Sequence, residues 1–157
     1  MRPDPSVPCD LRALEYGEHL IVWSFRAILA DRWDCDLILR EYRHACGDRA
    51  EEARGAVRAF VDRIEQQSRR PLTIGRPGSL GMTRDEQQLL AAYSAAQRGD
   101  EARFEAHLTW LLARPVDGGF YGFVRTTAEA LADRGHHLSD PRRAPPAIEP
   151  PPQSVTA

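Results

Sequence analysis

A chain of 157 residues with 42% hydrophobic and 28% charged residues has the composition of one soluble globular domain with a real core. A net charge of −2 gives no general attraction to nucleic acid, and no apolar run approaches the ~20 residues that span a bilayer. All 21 basic residues are arginine, with no lysine or asparagine, which excludes a Schiff-base cofactor lysine, a phosphate-loop lysine and an N-glycosylation acceptor.

The N-terminus lacks the apolar stretch of a signal peptide, so residues 1–9 read as a flexible segment of a cytoplasmic protein. The 3.6-residue period predicts a first helix over Leu11 to Asp31 behind an Asp10 cap, with Leu14, Ile21, Val22, Phe25 and Ile28 on its apolar stripe. The longest apolar run, Leu20 to Trp23 with Phe25 and Ala27 to Ala30, is broken by Ser24 and Arg26. Asp34 is placed to cap a second helix carrying Cys35, Ile38, Leu39, Tyr42, Ala45 and Cys46, which ends at a left-handed Gly47. Asp48 to Glu51 has the form of a loose capping box opening a third helix with Ala53, Val57, Phe60, Val61 and Ile64 inward.

An irregular stretch from Arg69 to Met82 follows, rich in glycine, proline and arginine. Thr83-Arg-Asp-Glu86 is a full capping box for a fourth helix with Leu89, Leu90, Tyr93 and Ala96. Gly99 ends that helix and Asp100 caps a fifth, with Phe104, Leu108, Leu111 and Leu112, so the two should form a helix hairpin. Pro115 to Gly119 reads as a turn, and a sixth helix over about Phe120 to Arg134 stops at Gly135. From His136 onward the chain is Pro-rich and should be a disordered tail. The expectation is an all-α bundle of about six helices over residues 10–135, with a tail over 136–157.

The 69–83 segment is where the pattern places a polar site. The N-terminus of a helix beginning at Thr83 offers unpaired N–H groups, Gly78 and its neighbouring glycines allow close approach of a ligand, and Arg69, Arg70 and Arg76 supply charge. Asp85 and Glu86 in the first turn already complement that dipole, so an ordered joint between two halves of the bundle is the competing reading. Two motif resemblances fail. Gly75 to Thr83 has five residues between its glycines where a phosphate loop has four, with Met82 in the lysine position, and Pro77-Gly-Ser-Leu-Gly81 lacks the sheet of a nucleophile elbow.

Other candidates are weaker. Glu41 and His44 have di-iron bundle spacing, but such sites need two of these pairs, and both residues fall off the apolar stripe. Glu18 falls inside the stripe of the first helix, so it must be buried and either paired, with an arginine from another helix as the expected partner, or protonated as a functional acid. His19 and His107 read as packed histidines, and His136-His137 as solvated. The Phe120-Tyr-Gly-Phe123 run reads as core filling or as an aromatic patch for a partner. Cys9, Cys35 and Cys46 have no metal-ligand spacing and read as buried free thiols.

Arg69-Arg-Pro-Leu-Thr-Ile, then Pro77, then Met82-Thr-x-x-Glu86-x-x-Leu-Leu90 resembles a set of small helical bacterial proteins of unknown function, over residues 11–138. That resemblance implies a helical fold and no activity. No catalytic residue, metal or other cofactor is assigned. The expected role is a non-enzymatic interaction, regulatory or accessory module that contacts a protein partner or itself. The alternative is a small-molecule or anion-binding module using Arg69 to Thr83.

Overall fold

Capping contacts mark where some of the helices of this chain begin. In the computed structural model, which describes residues 10–139, the helices are α1 (Tyr16–Leu29), α2 (Asp36–Cys46), α3 (Ala50–Gln67), α4 (Arg84–Gln97), α5 (Glu101–Leu112) and α6 (Phe120–Ala132). Single 3-10 turns occur at Leu11–Ala13 and Gly47–Arg49. The fold is all-α, and no strand occurs among the described residues. The expected flexible segment 1–9 and residues 140–157 of the expected tail lie outside the described residues.

Thr83 and Asp100 cap as the sequence predicts. Thr83 Oγ1 accepts from the Glu86 amide at 3.1 Å while Glu86 Oε1 accepts from the Thr83 amide at 2.9 Å, and Asp100 Oδ1 accepts from the Arg103 amide at 3.1 Å. Three other predicted starts are corrected. Asp10 caps only the 3-10 turn, its Oδ1 accepting from the Arg12 amide at 2.8 Å, and Leu14 then turns extended. α1 begins later, at Tyr16, where Glu18 reaches back to the Glu15 amide at 3.0 Å. Cys35, not Asp34, holds the cap position of α2, and Asp48 lies within a 3-10 turn, so α3 starts without a side-chain cap.

α4 is the central helix. Every residue from Leu89 to Ala96 is buried, and the helix packs against α1, α5 and α6, while α3 packs against α1, α2 and α6. The alanines at 91, 92, 95 and 96 are short enough to let neighbouring helices come close. Tyr93 joins an aromatic cluster in which Phe60 meets Phe25, Tyr93 and Phe120 edge-on, at centroid separations of 6.1, 5.7 and 6.0 Å. Each such fully buried ring contributes roughly 1.5–3 kcal/mol through removal of apolar surface from water. The aromatic run Phe120–Phe123 thus fills the core, with Phe120 buried and Tyr121 packed on Phe104 at 5.2 Å.

The packed chain continues past Gly135. The Gln97 amide nitrogen donates to the carbonyls of Ala128 and His136, and its oxygen accepts from the Leu138 amide at 2.6 Å. Leu138 is buried in the core as a result. A composition shift toward proline predicts a boundary at 135, whereas Gln97 holds the chain against the domain at His136 and Leu138, and Ser94 Oγ donates to Ser139 O at 2.7 Å.

Candidate functional site

α3 ends at Ser68, and the chain then crosses from α3 to α4 without a helix or strand of its own. Its order comes from side chains of α1 and α4. The Arg69 amide donates to Leu112 O at 3.0 Å, which ties the start of the segment to the end of α5. Asp85, in the first turn of α4, takes the first half: its Oδ1 accepts from Arg70 Nη2 at 2.7 Å and its Oδ2 accepts from the Thr73 amide at 2.7 Å. Thr83 Oγ1 donates to Thr73 O at 2.6 Å.

Glu86 takes the second half through Arg26 of α1. The Arg26 Nε donates to Glu86 Oε2 at 2.7 Å and Nη2 donates to Oε1 at 3.0 Å. The same guanidinium donates to the carbonyls of Arg76 at 3.3 Å, Ser79 at 2.5 Å and Gly81 at 2.9 Å. A Cβ at Gly75 would lie 2.5 Å from Arg26 Nη2, so glycine is required there by close approach to a side chain that is fully engaged. Pro77 and Gly78 form the corner of a turn closed by the Ser79 amide on Arg76 O at 3.1 Å, and Gly78 takes φ +87° as a type II turn requires. Carbonyls, not amides, therefore converge in this half of the segment, and they converge on a cation.

The five binding residues predicted from the sequence are divided by this arrangement. Arg69 is exposed, and its guanidinium makes no ion pair among the described residues. Arg70 is held by Asp85 and lies 4.8 Å from the Trp110 ring centroid, with Arg84 at 5.1 Å from the same ring. Arg76 is exposed on the turn, Gly78 forms the turn, and Thr83 is spent on capping α4 and holding Thr73. Arg69 and Arg70 share a cleft, Gly78 borders a different one, and Arg76 and Thr83 line neither.

The first cleft, of about 410 Å³, opens between α1, α3 and residues 68–74. Phe25, Leu29, Val61, Ile64, Leu72 and Ile74 make its walls apolar, and Glu65, Ser68, Arg69 and Arg70 supply its polar atoms. The second, of about 400 Å³, lies between α1, Glu41 of α2 and residues 77–80. Arg26 is thus the pin of a segment whose two halves wall two clefts. The sequence pattern treats Arg26 as an interruption, although it stands four residues after Val22 and eight after Glu18, on the face of α1 that faces inward. That spacing was the available signal.

Glu18 is buried as its place on the stripe predicts, but it has no arginine partner among the described residues. Its Oε1 accepts from the Glu15 amide and, at 3.5 Å, from Ser139 Oγ. Burial raises its pKa above the usual glutamate value, with Glu15 adding to the rise and the two hydrogen bonds opposing it. The buried ion pair of α1 is made by Arg26 instead. Tyr16 donates to Glu41 Oε2 at 2.5 Å and packs against the rings of His44 at 5.7 Å and His136 at 5.0 Å. Burial, with Glu41 beside it, pushes the Tyr16 hydroxyl well above its usual range.

Other expected placements differ as well. His136 is half-buried against Tyr16 instead of solvated, His19 is exposed instead of packed, and His107 is partly buried beside Gln88 Oε1 at 2.8 Å. Cys35 is an exposed thiol, whereas Cys46 is buried and its thiol is pushed up to about 11 by that burial. Cys9 lies outside the described residues. No group of three or more His, Cys, Asp or Glu among the described residues is arranged to hold a metal ion. No helix among them is long and apolar enough to cross a membrane. Comparison of the chain with protein-family models, curated proteins and solved structures finds no match.

Proposed function

We propose that the protein is a non-enzymatic binding module of the cytoplasm, and that the cleft between α1, α3 and residues 68–74 takes a small apolar molecule carrying an anionic group. The observation that carries this reading is an exposed arginine, Arg69, bordering an apolar cleft of about 410 Å³. That volume lies in the range of ordinary small-molecule sites, which are mostly apolar with a few polar groups that orient the ligand. Arg70 is neutralised by Asp85, so Arg69 is the guanidinium available to a carboxylate or phosphate. Leu29, 48% exposed on the wall of this cleft, is apolar surface that such a ligand would cover.

A protein partner is the second reading. It is favoured by Leu37 and Trp110, exposed at 49% and 42%, which line neither cleft. A regulatory or accessory role is compatible with both, since a ligand seated on residues 68–74 would alter the surface a partner meets.

Titration with octanoate and with octanol separates head group from tail. The module should bind octanoate more tightly, and Arg69→Ala should weaken octanoate about tenfold, the equivalent of about 1.4 kcal/mol, while leaving octanol unchanged. Leu29→Trp, which fills the cleft from an exposed position, should abolish both. Equal affinity of the parent for the two probes, or an Arg69→Ala variant that binds octanoate as the parent does, would overturn the reading.

A further inference from the structure

The second cleft differs from the first in the charged groups that border it. Tyr16, Leu20 and Trp23 recur at spacings of four and three along α1 and so share one face of it, and all three border this cleft. Glu41 faces them from α2, and the turn at 77–80 closes the other side.

One arginine and one glutamate border the cleft, together with His19, and of the arginine and the glutamate only one is ion-paired among the described residues. Arg26 is matched by Glu86 at 2.7 Å, and its remaining donors are taken by carbonyls. Glu41 makes no ion pair among the described residues. Its carboxylate is instead held by the hydroxyl of Tyr16, which leaves the negative charge oriented and unneutralised at the edge of an apolar space. Leu80 and Tyr16, exposed at 50% and 37%, leave apolar surface uncovered at the same place.

We propose that this cleft binds a small organic cation, an amine or quaternary ammonium with an apolar body, using Glu41 as the counter-charge and the rings of Tyr16 and Trp23 as walls. An ammonium group is attracted both by a carboxylate and by the faces of aromatic rings, and the apolar body of the ligand replaces water over Leu20 and Leu80. Tyr16 acts here as a positioning residue, because its hydroxyl fixes the Glu41 carboxylate. The inference does not depend on the reading of the first cleft, which calls for a ligand of opposite charge.

The test compares 4-phenylbutylammonium with 4-phenylbutanol, which has nearly the same shape and no charge, at pH 8. Binding is followed by titration calorimetry and by the assigned indole N–H resonance of Trp23. The ammonium should saturate and shift that resonance, and the alcohol should bind at least ~10-fold more weakly, the scale of one added ion pair. Glu41→Gln retains an acceptor for Tyr16 and should bring the two probes within about twofold of each other, whereas Arg69→Ala should leave the preference intact. If Glu41→Gln does not fold, Leu80→Arg places a fixed cation at the exposed mouth and should abolish ammonium binding. The proposal is overturned if the ammonium leaves Trp23 unshifted, if the parent binds both probes equally, if Glu41→Gln keeps the preference, or if Leu80→Arg still binds.

Discussion

Arg26 of α1 and Glu86 of α4 form a two-bond ion pair, 2.7 and 3.0 Å long, with side chains only 2% and 1% exposed. Taking two charges out of water is costly, and their mutual attraction offsets it only where the remaining donors and acceptors are satisfied. Here they are: Arg26 also holds three carbonyls of the 76–81 turn, and Glu86 also holds the Thr83 amide. The pair joins α1, α4 and the segment between α3 and α4 at one point.

Arg26→Met should therefore destabilise the domain by about 3–5 kcal/mol, because it strands a buried carboxylate. Adding Glu86→Leu should recover part of this by removing the stranded charge, but not all, since the Thr83 amide loses its cap and the turn carbonyls stay unmatched. Urea denaturation of the parent, both single variants and the double variant gives the coupling directly. Hydrogen exchange should show the Ser79 amide, which closes the turn, losing protection in Arg26→Met. A loss of less than about 1 kcal/mol would mean that Arg26 is not the pin.

Thr83 carries two bonds with one hydroxyl, accepting from Glu86 N and donating to Thr73 O. Thr83→Ala should cost about 1–2 kcal/mol by removing a helix cap and a tether together. Thr83→Ser keeps both bonds and should fall within about 0.5 kcal/mol of the parent. Thermal unfolding of the two variants separates the hydroxyl from the methyl group; equal losses would assign the effect to packing.

What the sequence makes legible follows from how local the signal is. The Thr83 and Asp100 caps are read correctly because a cap is a contact between residues three apart. The left-handed glycine at 47, with φ +56°, is a property of one residue. The start of α1 is misread because Leu11 and Leu14 continue the apolar period although they precede the helix, packing on the core from a 3-10 turn and an extended residue. Arg26 is misread for a different reason. A buried arginine is distinguishable from a solvated one only by its partners, and Glu86 stands 60 residues away. The same distance hides both clefts, whose walls come from two or three helices and a segment that has no periodicity of its own.

Two buried tyrosines differ in what their hydroxyls meet. The Ser24 hydroxyl donates to Leu20 O at 2.7 Å and lies 2.6 Å from the Tyr42 hydroxyl, which donates to it. The Tyr93 hydroxyl is buried with no hydrogen-bond partner among the described residues. Tyr42→Phe should thus cost about 1 kcal/mol, while Tyr93→Phe should be neutral or stabilising, because it deletes a desolvated group that gains nothing in the fold. Chemical denaturation of the two variants checks the difference in sign, and a Tyr93→Phe variant destabilised by more than about 1 kcal/mol would imply a partner for that hydroxyl.

Glu18 gives the domain a pH dependence whose direction follows from its burial. Its folded pKa is raised above the ordinary value of 4.5, so the folded state holds the proton more tightly than the unfolded state. Stability attributable to this group is therefore highest below 4.5, and it is lost as pH rises from there through the raised folded value. Glu18→Gln removes the ionisation but keeps an oxygen to accept from the Glu15 amide, whereas Glu18→Ala loses that acceptor as well and should be about 1 kcal/mol less stable than Glu18→Gln at any pH. The glutamine variant should match the parent at pH 4, flatten its decline at higher pH, and equal or exceed its stability at pH 7. Urea midpoints measured from pH 4 to pH 7.5 test this, and a glutamine variant clearly less stable than the parent at pH 7 would show that the ionised carboxylate is a net stabiliser of α1.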